Sequence, residues 1–532
     1  MKTVLVFAVA LGAATFAADY EAEGKRWWKH IEFLADDKLE GRNTGSAGHK
    51  AAANYVAQEF ERAGLKAAGV KGYIQPVPFA VRQIDEPNSR VEIIPTGGAA
   101  ERVKFGEEVL LSTRGASGVA GEPIEAEVVF VGYGLTVPDA NYDDLKGLDL
   151  KGKIVVMLAG GPKSIQGNLR AHFSSERGKF LKAAGVIGTV NIANPKSMDI
   201  PWARQAASRL QPSMSLADPK FDEGGGMKCA MSFNPEKAER LFVGTGHTFK
   251  EILAAADADR ELPKFSLKLK LRVKTAATVS AVESQNVVAM LEGSDRKLRN
   301  EYVVLSAHID HLGKAQAVEG DRIFNGAMDN ASGIAWMLET ARRLKESGMK
   351  PKRSLIFVAV TGEEKGLQGS KFFAQNPSVK GATMVADINM DMVLPLFPLR
   401  YLEVQGLGES SLGADIRTVC ADHKIEVQFD KEPDRNRFIR SDQYSFVKKG
   451  VPSLAFKFGW VPGTPEEKIY KDWYRDRYHG LSDDLKQPVD LAGAGQFTQI
   501  LFDLLSRVAN AEQRPQWNGD SFFKRFAAVA TN

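Results

Sequence analysis

The chain has 532 residues, of which 44% are hydrophobic and 26% charged, and its formal net charge is +4. This composition is sufficient for a large core and suggests two or three domains. So small a net charge, without any basic run, argues against nucleic acid and against an anionic surface as partners. The two cysteines, Cys229 and Cys420, are too few for a thiolate zinc site, and we expect ordinary buried or free thiols.

Residues 1–17 have the pattern of a secretory signal peptide. Lys2 precedes an apolar stretch from Val4 to Ala14, and the small residues Thr15 and Ala17 predict cleavage after Ala17. The stretch is too short for a typical membrane span, although a retained N-terminal anchor is the alternative. No later segment has 18 consecutive apolar residues, so we expect a secreted or periplasmic protein with no membrane contact after cleavage.

The next segment, residues 18–111, opens with helical patterning. In SAGHKAAANYVAQEFERAGL, the apolar residues Ala52, Tyr55, Val56 and Phe60 recur with the spacing of one helix face. Gly64 is a plausible stop for this helix.

Residues 112–280 change in character and predict a separate strand-rich module. The runs EAEVVFVGYGL and GKIVVMLAGGP are short, β-rich and bounded by glycine and proline. The later run FSLKLKLRVK alternates apolar and polar residues, as a half-exposed strand does.

From residue 281 the pattern becomes strand–helix–strand. EYVVLSAH, SLIFVAV and MVADINM are nearly continuous apolar runs, and NASGIAWMLETARRLKESG has an apolar helix face. Such runs alternating with helices indicate a sheet that is covered on both faces.

Acids and histidines follow the predicted strands of this last segment. In open α/β sheets, sites form beyond the carboxyl ends of the strands. Taken singly, an Asp before a helix is usually a cap and two adjacent Glu residues a solvated turn. Together, two histidines and several carboxylates suit a pair of divalent ions such as zinc. The candidates are His308 and Asp310 after the first strand, Glu363 and Glu364 after the second, Asp391 after the third, Asp329 before the helix, and His479 in a later polar stretch.

Six motifs give this chain a specific resemblance. AHIDHLG, GAMDNASG, TGEEKGLQGS, NMDMV, RSDQYSF and YHGLSDD stand in the order found in the two-zinc aminopeptidase family. Its relatives include glutaminyl cyclases, glutamate carboxypeptidase and the transferrin receptor. The earlier LEGRNTGSAGHKAAANYVAQEF resembles the opening of that family, and EAEVVFVGYGL with LDLKGKIVVML resembles a protease-associated domain.

The resemblance implies an α/β fold with a mixed, mostly parallel sheet flanked by helices. It assigns residues 18–111 and 281–532 to the catalytic domain and 112–280 to an inserted β-rich protease-associated domain. It also implies two Zn²⁺ ions. In the implied roles, Asp329 bridges the ions, His308 and Asp391 complete one site, Glu364 and His479 complete the other, Glu363 is the general base, and Asp310 supports the His308 ring.

This sequence departs from the family pattern at two places. Gly480-Leu481 follows the last histidine where the family often has a small residue and proline, and Gln443 replaces the histidine of a Ser-Asp-His motif. Neither change removes an implied metal ligand.

The expected activity is the removal of N-terminal residues from peptides by a metal-activated water. A carboxypeptidase is an alternative, because Arg435, Arg437 and Arg440 precede the RSDQYSF motif and arginine can bind a terminal carboxylate. A glutaminyl cyclase is another, although those relatives generally work with one metal. A non-catalytic binding protein on this scaffold is the least favoured reading, because the implied ligand set is complete.

Overall fold

The computed structural model describes residues 20–113, 122–198, 200–221, 227–315, 320–381 and 383–527, so the predicted signal peptide lies outside the described residues. The helices are α1 (20–34), α2 (Ala47–Arg62), α3 (Gly167–Ala183), α4 (Trp202–Ala207), α5 (Phe249–Asp257), α6 (Ser332–Ser347), α7 (Gln368–Gln375), α8 (Leu412–Asp422), α9 (Gln443–Val447), α10 (Pro465–Asp476), α11 (Leu491–Asn510) and α12 (Lys524–Ala527). Along the described part of the chain, no helix combines the length and the apolar character needed to cross a bilayer.

The strands fall into two large sheets and two short hairpins. They are β1 (Lys66–Ala67), β2 (Ile74–Ile84), β3 (Arg90–Pro95), β4 (Glu101–Arg102), β5 (Val109–Leu111), β6 (Ile124–Val131), β7 (Thr136–Val137), β8 (Tyr142–Asp143), β9 (Ile154–Leu158), β10 (Gly188–Ile192), β11 (Ser213–Leu216), β12 (Cys229–Phe233), β13 (Lys264–Lys274), β14 (Ala277–Leu291), β15 (Glu301–His308), β16 (Gly313–Lys314), β17 (Ile323–Phe324), β18 (Ser354–Val360), β19 (Thr383–Asn389), β20 (Tyr401–Gln405), β21 (Glu426–Gln428) and β22 (Ser453–Phe458).

The larger sheet has the strand order β11-β2-β14-β18-β15-β19-β22-β20-β21, with β1 paired to β14. Its centre, β18-β15-β19-β22, is parallel, while β2, β11 and β14 on one side pair antiparallel. The predicted mixed α/β fold is confirmed. Among the described strands of this sheet, parallel pairing is confined to this centre and to the β20–β21 pair.

Helices cover both faces of this sheet, which explains why the central strands are apolar throughout. On β15, Val303 and Leu305 belong to the core shared with α2, α6 and α11, whereas Val304 faces the core shared with α7 and α9. The predicted apolar face of α2 is buried at Ala52, Val56 and Phe60. The parallel centre is therefore enclosed, as uninterrupted apolar runs require.

The second sheet has the order β4-β3-β13-β6-β9-β10-β12-β5. The chain enters it after β2 and leaves it before β14, and these two strands pair from Ile84↔Ala277 to Ile74↔Val287. Strands β3 to β5 lie before residue 112, where the sequence predicts the inserted domain to begin. The pairings of β3 with β13 and of β5 with β12 are long-range, so a change in local composition does not reveal them.

Candidate metal centre and its cavity

Three neighbouring parallel strands deliver the predicted residues to one edge of the larger sheet. His308 is the last residue of β15, and Asp391 follows β19 closely. After β18, Gly362 adopts a left-handed conformation with φ of 67°, and the chain turns at Glu363 and Glu364. Because β18, β15 and β19 are adjacent and parallel, their carboxyl ends meet, and both glutamates line the same cavity.

Asp329 and His479 reach this edge from outside the sheet. Asp329 lies in the irregular turn Ala327–Ala331 before α6, where the main-chain amides of Met328 and Asp329 donate to the two carboxylate oxygens of Asp483, each at 3.0 Å. His479 follows α10, and the centre of its ring lies 4.1 Å from the centre of the Tyr478 ring. We call the six residues His308, Asp329, Glu363, Glu364, Asp391 and His479 the acid–histidine cluster.

Five of these residues form two triangles of donor atoms that share Asp329. In the first, His308 Nε2 lies 3.4 Å from Asp329 Oδ1 and 3.5 Å from Asp391 Oδ1. In the second, His479 Nε2 lies 3.3 Å from both Asp329 Oδ2 and Glu364 Oε2. Each oxygen of the Asp329 carboxylate therefore faces a different triangle.

These distances suit zinc better than they suit hydrogen bonds. Two atoms bound to one tetrahedral zinc at about 2.0–2.2 Å are about 3.3–3.5 Å apart, whereas a hydrogen bond brings them to about 2.7–3.2 Å. Within the described residues, His308 Nε2 and Asp391 Oδ1 are buried without a hydrogen-bond partner. His308 Nδ1 lies 3.0 Å from the Asp310 carbonyl oxygen, which only accepts, so Nε2 is the ring nitrogen available to a metal ion. The residues fit a metal pair.

The Asp310 side chain makes different hydrogen bonds from the one that the sequence predicts. The sequence predicts that its carboxylate orients the His308 ring, but it is the Asp310 main-chain carbonyl that accepts from that ring. The carboxylate, fully buried, instead accepts from the main-chain amides of Glu363 at 3.1 Å and Glu364 at 3.4 Å, and from Thr44 Oγ1 at 2.9 Å. It thereby fixes the turn that carries both glutamates.

His311 is a buried residue of the site that the sequence reading did not single out. Its Nδ1 lies 2.8 Å from Glu364 Oε1 but 4.0 Å from Asp329 Oδ2. The first distance is that of a hydrogen bond, and the second exceeds the spacing of two ligands on one tetrahedral zinc. His311 therefore holds one oxygen of Glu364, while the other faces His479. The His-x-x-His spacing of His308 and His311 is the sequence feature that could have identified His311 as a site residue.

The two adjacent glutamates have opposite electrostatic environments. Burial raises the pKa of Glu363, and Glu364 and Asp391 add to this, although His308 offsets part of the effect. Burial acts in the same direction on Glu364, but its histidine neighbours, His479 first, outweigh it and hold the pKa of Glu364 below its usual value. The site thus separates two like carboxyl groups into one that takes up a proton readily and one that stays ionised.

The cluster opens into a cavity of about 300 Å³. Its other lining side chains include Tyr474, Tyr478 and Gln405, and three cations, Arg437, Arg440 and Lys457, which we call the cationic wall. Of the three arginines noted in the sequence, Arg435 is not among the lining residues, and its Nε donates to Glu432 at 3.0 Å. Gln443, the departure from the family motif, lines the cavity too, with its oxygen accepting from Asn389 at 2.6 Å.

Comparisons with known proteins agree with this geometry. Residues 286–505 match the profile of Peptidase family M28. A probable zinc metalloprotease of Pyrenophora teres f. teres is 38% identical over 112 residues, which are 21% of this chain and 23% of that protein. The chain spans about a quarter of the length of the curated relatives that it matches in this way.

Two solved structures share the fold. An aminopeptidase from Aneurinibacillus sp. strain AM-1 superposes with a TM-score of 0.54 at 20% identity, covering 93% of this chain and 97% of that one. A zinc aminopeptidase from Bacillus subtilis superposes with a TM-score of 0.52 at 18% identity, covering 92% and 96%. The match to Peptidase family M28 spans the whole acid–histidine cluster, and the fold of the chain is shared with these two solved structures.

Proposed function

We propose that this chain is an exported, zinc-dependent exopeptidase that releases N-terminal residues from peptides. The observation that carries the proposal is the pair of donor triangles sharing the Asp329 carboxylate. In this assignment His308 and Asp391 would hold one zinc ion, Glu364 and His479 would hold the other, and Asp329 would contribute one carboxylate oxygen to each. A pair of zinc ions lowers the pKa of a shared water and polarises a substrate carbonyl.

Glu363 is the proposed general base. It lines the cavity but belongs to neither donor triangle, so its carboxylate is not consumed in holding metal. Its raised pKa suits a group that takes a proton from the attacking water and then delivers it to the leaving amine.

Tyr478 is the proposed hydrogen-bond donor to the developing oxyanion. It lines the same cavity, and burial together with Asp329 and Glu364 raises the pKa of its hydroxyl, which therefore stays protonated. A preorganised donor of this kind stabilises negative charge that develops in the transition state.

Two observations support cleavage from the N-terminus: the acidic residues of the cavity and the similarity to solved aminopeptidases. Both superposed structures are aminopeptidases, and the acid-rich end of the cavity suits the ammonium group of a peptide N-terminus. A carboxypeptidase or dipeptidase is the second candidate, because Arg437 and Arg440 line the same cavity.

The strand-rich insertion is proposed to be a protease-associated domain that shapes the substrate cleft. The pairing of β2 with β14 supports boundaries close to 85 and 276, in place of 112 and 280. Side chains of the insertion reach the catalytic domain, as His172 Nδ1 lies 3.0 Å from the Tyr444 hydroxyl. Export to the exterior or the periplasm rests on the signal pattern of residues 1–17.

The substitution Glu363→Gln tests the proposed base, with Glu364→Gln as the matched control next to it. We expect Glu363→Gln to keep both zinc ions and to lose about 10²–10⁴-fold in kcat. Glu364→Gln is expected to lose zinc as well as activity, because it removes a proposed ligand. Zinc per chain by atomic absorption and hydrolysis of alanyl and leucyl anilides are the measurements. Full activity of Glu363→Gln would refute the assignment.

The direction of cleavage is tested with peptides whose termini are free or blocked. We expect hydrolysis of peptides with a free N-terminus, loss of activity with a chelator, and recovery when zinc is restored. Cleavage of N-acetylated peptides at the same rate contradicts the aminopeptidase proposal.

A further inference from the structure

One stretch of the insertion leaves its own sheet and lies against the catalytic domain. It comprises residues 202–221, with helix α4 and strand β11, and we call it the crossing arm. Its strand β11 lies at one end of the larger sheet and pairs antiparallel with β2, from Ser213↔Arg82 to Leu216↔Phe79. The insertion is therefore joined to the catalytic domain by a strand pairing, in addition to its two chain connections.

At the start of the crossing arm, the Arg204 side chain reaches the end of helix α10. Its Nη2 donates to the main-chain oxygen of Arg475 at 2.8 Å, and its Nη1 donates to the main-chain oxygen of Tyr478. Arg475 lies in the last turn of α10, and Tyr478 directly precedes His479. Because the last carbonyls of a helix lack partners within it, a guanidinium is well placed there to supply both donors and positive charge.

The loop that follows α10 holds a proposed metal ligand in an uncommon backbone conformation. His479 has φ of 52°, in the left-handed region, which a residue with a side chain adopts when surrounding contacts enforce it. Within the loop, the Gly480 amide donates to the Arg477 carbonyl at 2.7 Å. Arg204 adds two hydrogen bonds from outside the loop, to the carbonyls on either side of that bond.

The same loop supports more of the metal centre than His479 alone. Asp483 accepts from the main-chain amides of Met328 and Asp329 through its carboxylate, and from the Ala327 amide, at 3.1 Å, through its carbonyl. The turn that presents Asp329 thus rests on this loop. A displacement of the loop moves one ligand of the second triangle and the support of the ligand that both triangles share.

The far end of the crossing arm is anchored beside the glutamate turn. Phe221 is 5% exposed, packs with Leu216 and Phe79, and accepts at its carbonyl from Lys371 Nζ at 2.9 Å. The Phe79 ring lies so close to Gly362 that a Cβ on this glycine would meet it at 3.0 Å. The crossing arm therefore has a fixed base on the catalytic domain, from which Arg204 can hold the loop in one place.

We propose that Arg204 is a positioning residue of the metal centre, which holds the loop after α10 so that His479 is in place before metal binds. Arg204 is not among the residues that line the cavity, so it acts through the loop and not on the substrate. A ligand whose place is fixed in advance by neighbouring groups binds metal more tightly. The inference rests on the proposed zinc peptidase function, and it gives the insertion a part in metal binding besides shaping the cleft.

The substitution Arg204→Met tests this role, because it removes the donors and the charge and keeps an unbranched stem. We expect about 10–100-fold weaker binding of one zinc ion, the effect typical of groups that orient a ligand. Arg204→Lys keeps the charge and can still donate to one of the two carbonyls, so we expect it to regain part of this affinity. Competition with a chromogenic chelator measures zinc binding separately from turnover.

Arg209 of the same crossing arm provides the matched control. Its guanidinium donates to both carboxylate oxygens of Glu86, at 2.8 and 3.2 Å, and so pairs within the insertion and not with the loop after α10. We expect Arg209→Met to keep a zinc affinity within 2-fold of the parent chain. An equal loss of affinity in Arg209→Met and Arg204→Met would overturn the inference, because the arm as a whole would then set the affinity.

Hydrogen exchange of the metal-free full chain gives a readout that needs neither zinc nor substrate. We expect amides of residues 475–483 to exchange at least 10-fold faster in Arg204→Met than in the parent chain and in Arg209→Met, since the loop opens more often once its carbonyls are released. Equal exchange and equal zinc affinity in Arg204→Met and the parent, with leucyl anilide still hydrolysed, would overturn this inference and leave the proposed function standing. A parent chain that binds no zinc and hydrolyses no anilide would overturn the proposed function itself.

Discussion

The acid–histidine cluster and the cationic wall face the same cavity but are built in different ways. The cluster stands on the ends of central parallel strands, and its turns are fixed by main-chain bonds, such as those from the Glu363 and Glu364 amides to Asp310. Two of the three cations of the wall, Arg437 and Arg440, come from the irregular segment between β21 and α9. The long side chain of Arg437 is positioned by Glu432 and Tyr474.

The difference separates chemistry from selectivity. Metal chemistry needs donor atoms placed to a fraction of an ångström, and a rigid sheet edge supplies this. Substrate preference can change with a loop, because loops tolerate substitution while the scaffold holds the reacting groups. Changes in the cluster should therefore affect metal content and turnover of every substrate, whereas changes at Arg437 and Arg440 should leave the metal content unchanged.

The largest expected effect comes from Asp329→Asn, which breaks the cluster at the residue shared by both donor triangles. An amide offers one oxygen and no charge, so it cannot serve both sides. We expect loss of zinc from both sites and a fall in activity well beyond the roughly 10–100-fold typical of changes around a ligand. Zinc per chain after dialysis and anilide hydrolysis measure it. Retention of two zinc ions with ordinary activity would show that Asp329 does not bridge.

A smaller effect is expected at His311, which separates a supporting histidine from a ligand. His311→Phe removes the hydrogen bond to Glu364, and we expect about 10–100-fold weaker zinc binding at one site. His311→Asn keeps an N–H donor at a similar place and is expected to restore most of this affinity. Competition with a chromogenic chelator gives the two affinities separately from activity.

A comparison of His479→Asn with His311→Asn tests which of the two histidines is a ligand of the second proposed zinc ion. If His479 is the ligand, this variant loses one zinc ion while His311→Asn keeps two. The reverse result would make His311 the ligand and His479 the support. Equal behaviour of His311→Phe and the parent chain would remove His311 from the site altogether.

Much of the cluster could be predicted from the sequence because strand ends are local features. His308, Glu363 and Asp391 each follow an uninterrupted apolar run, and adjacent parallel strands bring such ends together. Asp329 and His479 could be linked to them only through the family motifs, since nothing local tells a ligand from a helix cap or a surface histidine. The prediction for the Asp310 side chain was wrong, because spacing alone does not say whether a carbonyl or a carboxylate reaches a ring.

The strand pairings and cavity-lining residues that could not be predicted from the sequence depend on long-range packing. The pairing of β11 with β2, and of β3 with β13, joins segments that are far apart in the chain, so local patterning gives no sign of either. The same holds for the three arginines: Arg437 and Arg440 line the cavity and Arg435 does not, a difference set by how one irregular segment folds against α10. In the sequence, Lys457 is a residue of a predicted strand. Its place in the wall depends on its contacts with the main chain after β19, which the sequence does not show.

The smallest expected effect concerns Glu403, a buried acid on β20 beneath the cationic wall. It is 2% exposed, and within the described residues its Oε1 has no hydrogen-bond partner. Burial, reinforced by Asp430, raises the pKa of Glu403 to about 7, although Arg437 offsets part of this. Since an unfolded chain ionises the group near pH 4.5, folding is penalised progressively as pH rises from 4.5 to 7, and fully above 7.

Glu403→Gln removes this penalty, so its advantage over the parent chain should grow from pH 4.5 to pH 8. At about 1.4 kcal/mol for each pKa unit, the difference is on the order of 1–3 kcal/mol. Melting temperatures measured with chelator at both pH values test it, because any constant cost of the amide cancels in the pH dependence. The exposed Glu426→Gln on β21 is the control. If the melting temperature of Glu403→Gln depends on pH in the same way as that of the parent, the pKa of Glu403 is not raised. The acid would then carry a negative charge next to the cationic wall at neutral pH.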